Sequence, residues 1–151
     1  MSEHSEAARK RTARCSCGSL RVGTVGEPLI VVTCFCEECQ RRTGSAFGIS
    51  TYWMLENVKM SGLATQYVRE GQAGRKVTYH FCPTCGSSVC WELPDRRPGQ
   101  LGIFGGSVFD PDLPAPAMSV WERSKLSWVS IPAAAHHEQN PPPPPIPGQS
   151  G

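Results

Sequence analysis

Seven of the eight cysteines in this 151-residue chain fall into three tight groups. They are Cys15-Ser16-Cys17-Gly18, Cys34-Phe35-Cys36-Glu37-Glu38-Cys39 and Cys82-Pro83-Thr84-Cys85-Gly86, with Cys90 left over. Such grouping constrains the fold strongly, because thiolates that converge on one metal ion dictate which segments must meet. In the third group the two-residue spacer followed by glycine suits a zinc knuckle, in which two thiolates sit about 2.3 Å from one ion while backbone amides turn toward the sulfurs. That half-site needs two more ligands. The Cys15/Cys17 pair, also followed by a glycine, supplies them and completes a closed, structural four-sulfur zinc site.

The middle group places three thiolates within six residues, enough for three corners of a tetrahedron. Its fourth corner is left for water or substrate, and an open corner implies chemistry. The competing arrangement has Cys90 filling that corner, giving two closed sites and a purely scaffolding protein. Strand alternation permits it: over Ser88 to Leu93, Val89, Trp91 and Leu93 share one face and Ser88, Cys90 and Glu92 the other.

Between the cysteines no useful helical period appears. Short segments rich in Val, Ile, Thr, Tyr, Phe and Trp are separated by some of the 15 Gly and 14 Pro, which predicts a mainly β domain of short antiparallel strands with little helix. The expected strands are 20–25, 29–33, 47–54, 66–69, 76–81, 88–93, 101–104 and 119–122. One helical turn is expected over Glu37 to Arg42, ended by Gly44 in a left-handed conformation. Residues 1–13 are polar and residues 133–151 carry a proline run, so both are expected to be disordered tails around a single domain at 14–132. The run from Pro141 to Pro147 also has the spacing of a polyproline ligand. Arg9 to Arg11 is read as a solvated charge run rather than a phosphate contact.

No stretch approaches the roughly 20 apolar residues of a membrane helix, and the amino terminus lacks the apolar region of a secretory signal. A cytoplasmic, reducing location is therefore expected, and there eight cysteines argue for metal rather than a disulfide framework. Formal net charge is +2, and seven thiolates on two zinc ions would bring it to about −1. Neither value points to nucleic acid, and no membrane partner is expected.

The three cysteine groups, with Arg41-Arg42-x-Gly44-Ser45 after the second and Phe81 before and Ser87 after the third, resemble the glutathione-dependent formaldehyde-activating enzyme family, which includes centromere protein V. The resemblance continues through Gly105-Gly106-Ser107-Val108-Phe109-Asp110 and Val120-Trp121-Glu122 to Trp128, covering about Cys15 to Trp128. It implies a tent-like β fold, a structural zinc on Cys15, Cys17, Cys82 and Cys85, and a catalytic zinc on Cys34, Cys36 and Cys39. Phe35, Gln40 and Ser119 depart from the family pattern, where His, Arg and His are common, and are expected to alter the substrate pocket.

Three thiolates on Zn²⁺ favour a soft fourth ligand, so the expected substrate is a small-molecule thiol such as glutathione, with an aldehyde such as formaldehyde. The reaction is that of a carbon-sulfur lyase, forming or cleaving an S-hydroxymethylglutathione type of adduct. A non-catalytic binding module with two structural zinc sites is the alternative. Arg41, Arg42 or the backbone after Cys39 would meet the developing alkoxide, and the arginines equally suit substrate carboxylates. His80 reads as a structural group before a catalytic one, Tyr52 and Tyr79 are no better placed as acid-base groups, Trp53, Trp91, Trp121 and Trp128 read as core, and Asp110 reads as a turn.

Overall fold

The structure is a computed structural model that describes residues 7–71 and 74–142. It is mainly β, with two sheets. β1 (Lys10–Arg14), β2 (Arg21–Val25) and β5 (Val58–Ser61) make a three-stranded antiparallel sheet. The larger sheet has eight strands in the order β11-β10-β3-β4-β9-β8-β7-β6. Its members are β3 (Ile30–Cys34), β4 (Gly48–Met54), β6 (Thr65–Glu70), β7 (Lys76–Phe81), β8 (Ser88–Glu92), β9 (Gln100–Phe104), β10 (Met118–Val120) and β11 (Ala135–His136). Helix includes α1 (Glu37–Thr43), α2 (Gly105–Val108) and the 3₁₀ turns Leu55–Asn57 and Glu122–Ser124.

Side-chain alternation along the large sheet separates two environments. Thr51 and Trp53 of β4, and Leu101 and Ile103 of β9, point one way and are buried. Trp53, Leu101 and Ile103 pack there with Ala13, Leu20 and Val22 of the small sheet, so the main core lies between the sheets. The indole of Trp53 donates to Thr51 Oγ1 at 2.8 Å, which satisfies the one polar atom of the largest buried side chain. Truncating Trp53 would cost about 3 to 5 kcal/mol.

The opposite face carries Val32, Tyr52, Tyr79, Trp91 and Phe104. Register places Tyr79 opposite Trp91, Trp91 opposite Gly102 and Gly102 opposite Tyr52, one row across four strands. Gly102 is required there, since a Cβ would lie 2.3 Å from the Trp91 indole nitrogen. Without it the indole lies over the β9 backbone, edge-on to Tyr52 at 5.7 Å and stacked with Phe104 at 6.4 Å.

Four expectations are corrected. Residues 10–13 are not tail but part of β1, whose inward positions are Arg11 and Ala13. The Arg11 guanidinium is buried against Asp110 at 2.7 Å, Glu27 at 2.9 Å and the Gly26 carbonyl at 2.9 Å, and Arg9 also pairs with Asp110. A strand with a charged inward residue gives no apolar alternation, and Arg9 and Arg11 are ion-paired rather than solvated. Second, the tail boundary at 133 is too early, because β11 pairs with β10 and the Pro141 carbonyl accepts from Arg96 at 2.7 Å. Residues 1–6 and 143–151, with most of the proline run, lie outside the described residues.

Third, the strands are not all antiparallel, since β10 runs parallel to both β3 and β11. The long connection between β3 and β10 can return the chain to the same end, as a parallel pair needs. Fourth, β8 does not alternate simply. A register shift opposite His80 and Phe81 inserts Val89 as an extra residue, and both Val89 and Cys90 enter the main core. α1 and its left-handed Gly44 (φ 63) match the sequence reading.

Candidate metal and substrate site

Cys15 and Cys17 occupy the turn between β1 and β2, and Cys82 and Cys85 the turn between β7 and β8. Their four sulfurs lie within 4.8 Å of one another. Cys17 is 3.6 Å from both Cys15 and Cys82, close to the edge of about 3.8 Å that a zinc tetrahedron with 2.3 Å bonds requires. The amide of Leu20 donates to Cys15 Sγ at 3.2 Å, and that of Thr84 to Cys82 Sγ at 3.4 Å. The Ser19 hydroxyl, 3.1 Å from Cys82 Sγ, leads the contacts that pull that thiol down to about 7. Ser16 and Ser87, with hydroxyls 2.9 Å apart, tie the two turns together. This donor set fits a closed metal centre that joins the two sheets.

Cys34 ends β3, Cys36 caps the start of α1 and Cys39 lies in its first turn. Their sulfurs also come within 4.8 Å of one another. Cys36 Sγ accepts from the Cys39 amide at 3.3 Å, and the next amide, that of Gln40, donates to the Cys36 carbonyl at 3.0 Å, so the backbone donor expected after Cys39 is already engaged. Contacts from Cys34 and Cys39, then from the backbone, hold the Cys36 thiol well below its ordinary range, and the same sharing pushes Cys34 up. Three soft donors so placed fit a metal ion with one further position.

Cys90 does not complete this group. It is fully buried in the main core with its sulfur 3.9 Å from Met60 Sδ, and burial followed by Glu92 pushes its thiol up to about 12. Among the described residues no fourth His, Cys, Asp or Glu joins Cys34, Cys36 and Cys39.

All three cysteines line a cleft of about 700 Å³ over the aromatic face of the large sheet. Arg42 reaches into it with its guanidinium 3.7 Å above the Phe104 ring centre, and its buried Nε has no hydrogen-bond partner among the described residues. Arg41 also lines the cleft, but at its exposed rim, where it pairs with Glu37 at 2.9 Å and Glu38 at 3.1 Å. The structure thus brings both expected arginines to the cleft, and Arg42 is the one with a donor to spare.

Tyr52, Tyr79, Trp91 and Trp121 line the cleft, where the two tryptophans are partly buried against the smaller hydrophobic clusters; Trp53 is core, and Trp128, 78% exposed, is where the core reading fails. His80 is buried on the other face, with Nε2 2.8 Å from Glu92. Asp110 forms the expected turn, accepting from the Asp112 amide, and adds the arginine contacts. None of the three departures lines the cleft: Phe35 packs on Phe47 at 5.8 Å, Gln40 donates to the Phe35 and Ser124 carbonyls, and Ser119 is buried in β10. Sequence reasoning also missed Arg69, Arg75, Arg96, Arg97 and Arg123 in the lining, because they come from separated segments with no common spacing.

A β scaffold joined by one four-cysteine cluster, with a three-cysteine cluster opening into a cleft, is the arrangement to set beside known proteins. A family profile described as glutathione-dependent formaldehyde-activating enzyme matches residues 10–124, and the chain belongs to that family. The match begins at β1, in agreement with the corrected boundary. A crystal structure of a Rhodobacter sphaeroides protein is similar at a TM-score of 0.50 and 20% identity, over 66% of this chain and 91% of that one, which shows the fold alone. No curated protein matches the chain. No described helix is long and apolar enough to cross a membrane.

Proposed function

We propose that this protein is a zinc-dependent carbon-sulfur lyase-like enzyme that forms or cleaves thiol-aldehyde adducts, with glutathione and formaldehyde as the pair its family description names. The observation that carries the reading is the three-cysteine cluster in the wall of the cleft, with Cys90 turned into the core. Cys34, Cys36 and Cys39 would hold a zinc ion, which when bound would supply a Lewis-acidic position suited to a soft substrate thiol. Cys15, Cys17, Cys82 and Cys85 would hold a second, structural ion between the sheets. We place the protein in a reducing cytoplasm, where these thiols stay available.

In the forward direction the thiol gives up its proton, its sulfur forms a bond to the aldehyde carbon, the carbonyl π pair moves to oxygen, and that oxygen takes up one proton in place of the one the thiol released. In reverse, the hydroxyl loses its proton as the carbon-sulfur bond breaks. Arg42 is the donor assigned to the developing oxygen charge, since its guanidinium is fixed on Phe104 in the wall of the cleft that the three cysteines line. The aromatic floor excludes water and holds the reactants together, which offsets the lower nucleophilicity of a metal-held sulfur. Arg41 is left on the helix surface.

The test is cobalt-substituted protein with and without glutathione. Growth of the sulfur-to-cobalt charge-transfer band by one further sulfur is expected, together with adduct formation when formaldehyde is added. A spectrum indifferent to glutathione and other small thiols would overturn the reading.

A further inference from the structure

The cleft has two ends, and only one has been given a role. Cys34 pairs with Gly48 at the start of β4, whereas Gln100 of β9 pairs with Met54 at its finish, about 20 Å away at strand rise. The loop before Gln100 brings Arg96 and Arg97 to this second end, and Arg75, just before β7, lines the same cleft. Arg97 lies 4.3 Å above the Tyr52 ring centre. All three line one cleft, and Arg96 is held below its ordinary value by burial first, then by the charges of Arg97 and Arg75. None makes a salt bridge among the described residues, and Arg96 has only the Pro141 carbonyl. Three half-buried guanidinium groups without an acid repel each other until an anion arrives.

The anion should be a strong one. A phosphoryl group offers three acceptor oxygens to planar forks, whereas a carboxylate is filled by one or two. It must also lie far from the sulfur. The four residue-to-residue steps from Gly48 to Tyr52 span about 13 Å, while a thiol on the central residue of a tripeptide lies within roughly 7 Å of either end of its chain. The floor between the two ends is aromatic, suited to a linker that is largely uncharged.

We propose that Arg75, Arg96 and Arg97 form a phosphoryl subsite, and that this cleft accepts a thiol joined by an extended linker to a phosphate. The inference rests on thiol binding at Cys34, Cys36 and Cys39. The full-length zinc-loaded chain is titrated calorimetrically with 4′-phosphopantetheine, pantetheine and glutathione, and the cobalt form is followed optically with each. The phosphorylated thiol should bind about tenfold or more tightly than pantetheine, and Arg96→Gln/Arg97→Gln should abolish that difference while the cobalt band still responds to pantetheine. Arg75→Gln, in a different loop, should reduce it as well. Inorganic pyrophosphate should compete with the phosphorylated thiol in the wild type and not in the double variant. Equal affinity for the two pantetheines, with the cobalt band still responding, overturns the subsite and leaves the thiol reading standing. A cobalt band silent to all three thiols removes the thiol reading, and the pyrophosphate titration then decides the arginine subsite by itself.

Discussion

The four-cysteine and three-cysteine clusters use the same ligand atom in opposite settings. In the first, two turns from different sheets close around the sulfurs, backbone amides and serine hydroxyls point at them, and Cys15 and Cys82 are buried. In the second, one strand end and one helical turn supply the sulfurs locally, and the remaining direction opens on the cleft. The contrast is that sequence separation marks the structural role. On the proposed reading, a cluster that spans distant turns constrains the fold, whereas one made within six residues would leave the fold alone and serve the reaction.

The largest expected effect comes from breaking the long-range cluster. Cys82→Ser should leave a protein that unfolds or aggregates, because structural zinc sites contribute about 10 to 16 kcal/mol while net stability is about 5 to 15. Melting and solubility measurements check this, and an unchanged melting temperature would remove the distinction between the clusters. Next, Cys36→Ser should keep the fold and lose one of two bound zinc ions. Thiol-dependent adduct formation should fall by about a hundredfold or more. Graded chelation of the wild type should likewise empty the local cluster before the melting temperature drops, and simultaneous loss would break the comparison.

A smaller effect is expected at Cys90. Replacing it with serine buries a hydroxyl among Met60 and core side chains, which costs about 1 to 3 kcal/mol. Zinc content should stay at two per chain, and release of one ion would restore the scaffolding alternative. The smallest effect belongs to Arg41→Ala, which removes exposed pairs with Glu37 and Glu38 and should change thiol affinity by less than about twofold. Arg42→Ala, by contrast, should lower turnover more than it lowers thiol affinity, because its donor is assigned to the oxygen that gains charge.

Much of the site was legible in the chain itself. Cysteine spacing paired the first group with the third and isolated the second, because coordination chemistry restricts which short spacers can share an ion. The turn-rich composition and β-branched segments located most strands to within a residue or two, and EECQRR followed by Thr43 and Gly44 located α1. β1 escaped because its buried face is Arg11 and Ala13, whose burial depends on Asp110 and Glu27 far along the sequence or across a turn. β11 escaped because Ala135 and His136 have no pattern of their own and are ordered by pairing with β10.

What the sequence by itself determined is the ligand inventory and the β character, both of which follow from local chemistry and local propensity. Only the tertiary structure decided which way Cys90 faces, because the Trp91 face of β8 looks into the cleft and the opposite face into the core, where the bulge brings Val89 beside Cys90 and no periodicity announces it. Only the tertiary structure, likewise, separated Arg41 from Arg42 and gathered Arg75, Arg96 and Arg97 at one end of the cleft. Adjacent helical positions point about 100° apart, and loops far apart in sequence meet only through strand register, so their shared electrostatics exist nowhere but in the assembled sheet.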